Sequence, residues 1–187
     1  MTHVYLKTPV TYYGGKQHLA EKIVPLITRH VLYAEPFTGG AAIFFAKHPS
    51  EVEVLNDTNG ELINLYRTIQ QNYDLLYDEI KVTLHSRQLH RHARVVYNNP
   101  DMFSAVKRAW ATWVLCCQTF SSMIDGGWRY DITSNTMNQK LQNKIAVSDL
   151  RGSSLRKLTT SFDLTLELPC YRADCASGSK TSCCKFC

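Results

Sequence analysis

The 187-residue sequence contains no apolar run that approaches the roughly 20 residues needed to cross a bilayer. Its first ten residues also lack the charged and then apolar segments of a secretory signal. We therefore expect a cytoplasmic protein with no membrane partner. The length favours a single domain with a substantial core. The formal charge of +5 is a mild excess of positive charge, and a protein with this charge would not repel polyanions.

Cysteine is absent from the first 115 residues and is unevenly placed after them. Cys116 and Cys117 lie in an apolar helical pattern, which predicts buried and inert thiols. The other five crowd the end of the sequence: Cys170, Cys175, Cys183, Cys184 and Cys187. A small zinc site is one interpretation, but adjacent cysteines fit the C-x-x-C pairs of zinc modules poorly, and disulfides are not expected in the cytosol. We predict no metal site.

The clearest pattern in the chain covers residues 33–59. A short apolar run at 31–34 leads to the glycine pair Gly39-Gly40, and an apolar helix-like run follows. A second run, rich in β-branched residues, covers 52–55. This order predicts a β-α-β unit with glycines at its first turn.

An acid follows the second predicted strand. Asp57 lies 18 positions after Gly39, close to the separation of about 20 in dinucleotide-binding sites. In such sites glycine lets the backbone approach the ligand, and the acid accepts hydrogen bonds from ribose hydroxyls. The alternative is a tight turn in an α/β domain without a ligand, and the position of the acid favours the nucleotide.

A second glycine pair lies near the start of the chain. Tyr13 precedes Gly14-Gly15, and Lys16 follows them, ahead of apolar residues at helical spacing that Pro25 would kink or end. Exposed backbone N–H groups and a lysine would favour an anionic group such as a carboxylate. The alternative is a plain helix start.

Residues 62–84 carry two amphipathic helical patterns, and a basic segment follows them. It interleaves histidines and arginines: His85, Arg87, His90, Arg91, His92 and Arg94. Metal binding by the histidines is the weaker interpretation, because no cysteine or acid lies among them to complete a site. A solvated or phosphate-facing basic surface is the better one.

Pro100 and Asp101 predict the start of a long helix, whose apolar stripe includes Trp110 and Trp113. We expect these tryptophans to pack in the core.

The next segment, 121–144, is rich in Asn, Gln, Ser and Thr, and it suits a hairpin or loop that reads base edges and phosphates. Its candidate DNA contacts are Trp128, Arg129, Tyr130, Lys140 and Lys144. An exposed hydrophilic loop is the alternative.

Several blocks in one order resemble the bacterial and phage DNA adenine methyltransferases of the Dam type. They include Y-Y-G-G-K, E-P-F-T-G-G-A-A-I-F-F, L-N-D-T-N-G-E-L-I-N and F-S-S-M-I-D-G-G-W-R-Y-D. The resemblance implies an α/β, Rossmann-like fold that uses S-adenosylmethionine and carries an inserted, mostly helical target-recognition region. It assigns cofactor binding to Tyr13, Lys16, Glu35, Phe37, Gly39, Gly40 and Asp57.

The resemblance also divides the chain. It implies a cofactor-binding part at 1–69, a DNA-binding recognition region at 70–148 and an unrelated tail at 149–187. Double-stranded DNA and a cognate restriction enzyme are the implied partners. Relatives often have a third glycine where this chain has Ala41, whose methyl group could crowd the cofactor.

The catalytic D/N-P-P-Y/F block of the family is absent, because no two of the six prolines are adjacent. In relatives the aromatic ring of that block stacks on a flipped adenine, while the acid or amide and a prolyl carbonyl bind its exocyclic amine. We therefore expect a family member that is inactive by itself. A non-catalytic DNA-binding remnant is the alternative function.

The composition changes from Ser148 onward toward Ser, Thr, Lys and Cys. We interpret the tail as the product of a reading-frame change, with an alternating segment at 162–168 that could add one strand. Only two strands are predicted ahead of the recognition region, so apolar faces of the cofactor-binding part would be uncovered. The expectation is an incomplete Rossmann-like fold of low stability.

Overall fold

The computed structural model describes residues 8–130, which form helices and a small parallel sheet. The strands are β1, Leu32–Glu35, and β2, Val52–Leu55. The helices are α1, Ala20–Ile23; α2, Ala42–Ala46; α3, Gly60–Gln71; α4, Tyr73–Val82; α5, Arg87–Asn98; and α6, Ala105–Gln118. This combination is compatible with an α/β methyltransferase fold. The inserted recognition region and the incomplete sheet stay predictions.

The two strands pair in parallel, with Leu32 opposite Val52 and Glu35 opposite Leu55. Helix α2 lies between them in the chain, so the predicted β-α-β unit is present, although its helix has only five residues. Because the strands are parallel, the loops that follow them leave the sheet at the same edge. This topology brings the two loops together.

Polar side chains cap the longer helices. The Asn59 side chain accepts hydrogen bonds from two backbone N–H groups of the first turn of α3, at 3.1 and 3.4 Å. Ser86 does the same for α5, and Ser104 accepts from the N–H of Lys107 in α6. These caps satisfy N–H groups that have no partner within the helix.

The long helix predicted to open at Pro100 begins later. Pro100–Met102 form one turn of 3₁₀ helix, Phe103 is extended, and α6 starts at Ala105. The Ser104 side chain provides the cap that defines this start. The apolar stripe behaves as predicted, since Trp110 and Trp113 are both buried in the core.

Helix α6 forms the centre of the helical core. It packs against α3 and α5 and, less extensively, against α4. Leu62 and Leu65 of α3, Ala93 of α5 and Leu115 of α6 are fully buried in one cluster. Each fully buried leucine contributes roughly 1.5–3 kcal/mol relative to an exposed one. Cys116 belongs to this cluster, which confirms the predicted burial of its thiol, and burial raises the pKa of that thiol to about 12. Cys117 is only half-buried, so the predicted burial is not met there.

The N-terminal segment does not form the single helix that its apolar spacing predicts. Gln17–Leu19 and Val24–Leu26 are 3₁₀ turns on either side of α1. Pro25 lies in the second turn, after which the backbone becomes extended. Ala20 of α1 packs with Ile43 and Ala46 of α2 in a small separate cluster.

Several predictions fall outside the described residues. They are the DNA contacts at Lys140 and Lys144, the strand at 162–168, and the roles of the tail at 149–187 with its five cysteines. Within residues 8–130, no helix is both long and apolar enough to cross a membrane.

Candidate functional site

A cavity of about 240 Å³ lies where the N-terminal glycine turn meets the loops after β1 and β2. All seven residues that the family resemblance assigns to the cofactor line it: Tyr13, Lys16, Glu35, Phe37, Gly39, Gly40 and Asp57. The structure therefore brings together residues from three separate blocks of the sequence. Their role in binding a cofactor stays a prediction.

The turn after β1 needs glycine at Gly39. Its φ of +49° lies in the left-handed region that favours glycine. Thr38 secures the turn, since its backbone N–H and its hydroxyl both donate to the carbonyl oxygen of Asn56, each at 2.9 Å. From α3, the hydroxyl of Tyr66 donates to the carbonyl oxygen of Gly39 across 2.8 Å.

Ala41 also has a left-handed φ, of +53°, which strains a residue that carries a Cβ. Its side chain is completely buried in the core, and it is not one of the residues that line the cavity. This placement contradicts the crowding of the cofactor predicted from the sequence. The methyl group packs behind the turn.

Asp57 is fixed by the backbone of two different loops. Its Oδ2 accepts a hydrogen bond from the N–H of Gly39 at 2.8 Å, and its Oδ1 accepts one from the N–H of Asn59 at 2.9 Å. Each carboxylate oxygen has a further lone pair. Asp57 can therefore accept hydrogen bonds from a ligand while it keeps the hydrogen bonds from Gly39 and Asn59.

The N-terminal turn forms one wall of the cavity. The N–H of Gly15 donates to the carbonyl oxygen of Tyr12 at 2.9 Å, and a Cβ on Gly15 would lie only 2.9 Å from the same oxygen. Gly14 has a φ of +71°. Lys16 follows the turn with its side chain exposed, where its ammonium group can meet an anion that enters the cavity.

Tyr12 was not predicted as a site residue, although it lies in the same block as Tyr13. It lines the cavity, and its ring lies 3.5 Å from the position that a Cβ on Gly39 would occupy. Burial raises the pKa of Tyr12, and a hydrogen bond with Asn59 opposes that rise. Tyr97 of α5 donates to Oδ1 of Asn59 at 3.2 Å, the oxygen that caps α3.

Glu35 contributes a second carboxylate to the cavity. Burial raises its pKa, and the rise is opposed by a hydrogen bond from Tyr33, a backbone hydrogen bond from Phe44 and the charges of Lys47 and Lys16. The site therefore combines two acids with one exposed cation.

Two aromatic rings on the lining of the cavity are well exposed, Tyr13 at 66% and Phe37 at 76%, and they offer flat faces to an incoming ring.

The predicted DNA-binding arginines lie on α5 at positions 87, 91 and 94, a spacing that places them along one side of the helix. Arg87 and Arg91 are exposed. Arg94 is half-buried and donates to the carbonyl oxygens of Gly126 and Ile124. Its contact with DNA stays a prediction, and at least part of its hydrogen-bonding capacity is used inside the protein.

Trp128 and Tyr130 stack with their rings nearly parallel and 5.9 Å apart. The guanidinium of Arg87 lies 5.2 Å from the Trp128 ring, and the His85 ring lies 5.1 Å from it. Tyr130 is 63% exposed, so this cluster presents an aromatic face beside a cation. Such a combination suits contact with nucleic acid bases and phosphates.

A short hairpin-like segment carries this cluster. Thr119 and Trp128 form an antiparallel bridge, and the N–H of Arg129 donates to the carbonyl oxygen of Gln118 at 2.8 Å. A Cβ on Gly126 would come within 2.7 Å of Thr119, so the turn closes only with glycine there. The predicted hairpin or loop thus begins as a tight turn.

The three histidines of the basic segment have different surroundings. His90 is buried with its Nε2 3.0 Å from the Thr119 hydroxyl, and burial together with the charge of Arg94 lowers its pKa. His85 packs on Trp128, and His92 is exposed. Among residues 8–130, no group of three His, Cys, Asp or Glu is placed to hold a metal ion.

A cavity at the carboxyl edge of parallel strands, bounded by a glycine turn and an acid, is typical of nucleotide-binding α/β proteins. The model of one family, the D12 class N6 adenine-specific DNA methyltransferases, matches residues 12–167. The chain belongs to this family. The match includes residues 148–167, although the composition change at Ser148 predicts that the resemblance ends there.

Two named relatives agree with this family. The chain is 40% identical over 76 residues to the Type II methyltransferase M1.LlaDCHI of Lactococcus lactis subsp. cremoris. It is 33% identical over 96 residues to the DNA N-6-adenine-methyltransferase of Escherichia phage P1. These matches cover 40% and 51% of this chain but only 26% and 11% of the relatives.

Proposed function

We propose that this chain binds S-adenosylmethionine in the cavity and takes part in methyl transfer to adenine in a specific duplex DNA sequence. The observation that carries the proposal is that one cavity gathers all seven residues assigned to the cofactor. Family membership supports it, because the family is named for N6 adenine-specific DNA methylation.

The chemistry of the lining fits the proposed cofactor. The Asp57 carboxylate is available to ribose hydroxyls, and Lys16 can pair with the carboxylate of the methionyl group. The glycines at positions 39 and 40 line the cavity beside the acid, where Tyr12 packs against them. Phe37 and Tyr13 offer rings against which an adenine base can stack.

The bound cofactor would supply a methyl group on a sulfonium. The exocyclic nitrogen of adenine would accept this methyl group as the carbon–sulfur bond breaks, leaving a neutral thioether and releasing a proton from the nitrogen to solvent. This chain supplies the cofactor site, but none of its six prolines is adjacent to another, so no D/N-P-P-Y/F block grips the adenine. We therefore propose that the chain does not complete the reaction by itself.

Double-stranded DNA is the proposed substrate of the complete reaction. The exposed side chains of Arg87 and Arg91 and the ring of Tyr130 provide cations and an aromatic face on one part of the structure. A cognate restriction enzyme is proposed as a partner from the family resemblance.

Two measurements test the function. Calorimetry should detect binding of S-adenosylmethionine to the chain. A methyl-transfer assay with a tritiated methyl donor and unmethylated DNA should give no product with the chain alone. Product should appear when a separate fragment carrying a D/N-P-P-Y block is added.

Different outcomes would contradict different parts of the proposal. Absence of cofactor binding, together with salt-dependent binding of DNA, would favour a non-catalytic DNA-binding protein. Methyl transfer by the unaided chain would show that adenine is gripped by residues other than the missing block.

A further inference from the structure

Tyr33 and Glu35 lie two residues apart on β1, so their side chains point to the same face of the sheet. The hydroxyl of Tyr33 donates a hydrogen bond to Oε1 of Glu35 across 2.7 Å. Glu35 lines the cavity, whereas Tyr33 lies behind it and outside the lining. Tyr33 therefore affects the cavity through its hydrogen bond to Glu35 and does not contact the cavity itself.

The ring of Tyr33 packs against the side chains of Lys47 and His30. Lys47 Nζ lies 4.2 Å from the ring centroid, and the His30 ring lies 5.5 Å from it. Lys47 forms an ion pair with Glu53 in which the side chains are only 2% and 3% exposed, and it donates to the Ser50 hydroxyl at 2.8 Å. Such a packed arrangement restricts the tyrosine to one orientation.

Charged and titratable groups face Glu35 from several elements. Tyr33 comes from its own strand, Lys47 from the end of α2, Lys16 from the N-terminal turn and Tyr66 from α3. Burial raises the pKa of Glu35, and the hydrogen bond from Tyr33 is the largest of the effects that oppose the rise. Burial also raises the pKa of Tyr33, so its hydroxyl keeps the proton that it donates.

We propose that Tyr33 is a positioning residue for the cofactor, because it holds Glu35 as a carboxylate at the cavity wall. The inference rests on the proposed function. S-adenosylmethionine carries an ammonium and a sulfonium group, and a half-buried carboxylate is the complementary charge for either. A neutral Glu35 would lose this attraction, so a hydrogen bond that favours the ionised acid also favours binding.

The test measures the dissociation constant of S-adenosylmethionine by calorimetry from acidic to neutral pH. The variant is Tyr33→Phe, and the matched control is Tyr77→Phe, whose ring stacks on Tyr73 in α4 at 5.8 Å. Tyr33→Phe should weaken binding about five-fold at neutral pH. The variant should also raise, by roughly one pH unit, the midpoint of the pH profile at which binding is lost on acidification.

The control separates positioning from folding. Tyr77→Phe should leave both the affinity and the pH profile unchanged. A purely structural effect of Tyr33→Phe would lower the melting temperature without moving the midpoint of the pH profile. An unchanged midpoint overturns the inference, and binding by the wild-type chain then leaves the proposed function in place. Absence of binding by the wild-type chain overturns both.

A second variant covers the case in which Tyr33→Phe does not fold. Glu35→Gln should bind S-adenosylmethionine more weakly and should show a smaller acidic loss of affinity than the wild-type chain, in which Asp57 is the other carboxylate of the cavity. In a foldable double variant, Tyr33→Phe should have no further effect on the Glu35→Gln background. Retention of the wild-type pH profile by Glu35→Gln would overturn the inference, because another group would then control binding.

Discussion

The backbone N–H of Gly39 donates a hydrogen bond to Oδ2 of Asp57 across 2.8 Å, joining residues 18 positions apart. The other oxygen of the carboxylate accepts from the N–H of Asn59. The acid is therefore fixed between the loop after β1 and the start of α3. Parallel pairing of the strands makes this possible, since it brings the two loops to one edge of the sheet.

Replacing Asp57 by alanine tests the centre of the site. We expect the affinity for S-adenosylmethionine to fall by roughly 10- to 100-fold, because hydrogen bonds to a charged group are lost. The free energy of unfolding should also fall by about 1–3 kcal/mol, because the N–H groups of Gly39 and Asn59 lose their acceptor. Calorimetry and urea denaturation measure the two effects. The control is Asp101→Ala, which removes an exposed acid from the Pro100–Met102 turn. It should change neither the affinity for S-adenosylmethionine nor the geometry of the site.

Alanine at Gly15 should distort the N-terminal wall. The added Cβ would lie 2.9 Å from a backbone oxygen of Tyr12, so the turn must move to admit it. We expect weaker binding of S-adenosylmethionine in a titration followed by calorimetry. Gly60→Ala is the matched control, since nothing lies within 4 Å of its Cβ, and it should raise stability by up to about 1 kcal/mol at the start of α3. Equal binding by Gly15→Ala and the wild-type chain would show that the turn does not contact the cofactor.

The buried ring of His90 should make stability depend on pH. Burial, together with the charge of Arg94, lowers its pKa, which means that folding favours the neutral ring. The contribution of His90 to the free energy of unfolding is therefore complete above a pH of about 6.5, the pKa of histidine in the unfolded chain. It is lost as the pH falls through the lower pKa of the folded state. In urea denaturation, the wild-type chain should lose more stability between neutral and acidic pH than His90→Gln loses. His92→Gln, an exposed control on α5, should keep the wild-type dependence.

Arg91 should contribute to DNA binding through charge. If its exposed guanidinium contacts a phosphate, Arg91→Gln should reduce the slope of log affinity against log salt by roughly 0.9. Fluorescence anisotropy with labelled duplex DNA over a series of salt concentrations measures the slope. Arg67→Gln removes an exposed charge from α3 and should leave the slope unchanged. Equal slopes for Arg91→Gln and the wild-type chain would remove this arginine from the interface.

Local patterns predict much of the described fold. The strand at 52–55 follows from residues that are close in the sequence. Helix α4 likewise follows from its amphipathic spacing. The start of α6 was predicted wrongly, because Pro100 suits any helical turn and the Ser104 cap decides where the long helix begins.

The candidate site shows the same division. Its glycines and Asp57 can be chosen from spacing, but Tyr12 and Tyr33 could not be, because their roles depend on contacts with Gly39 and with Glu35 that form in the folded chain. Ala41 is a further example. Its distance from the cavity depends on a left-handed turn that no local pattern specifies.

The sequence by itself determined the β-α-β unit and the family, since these depend on short-range spacing and on residue types. Only the tertiary structure decided which side chains meet: Tyr33 with Glu35, Lys47 with Glu53, and Arg94 with the Gly126 turn. The physical reason is that a side chain's pKa, burial and hydrogen bonds depend on neighbours supplied by other elements. Those neighbours are set by packing of the whole chain.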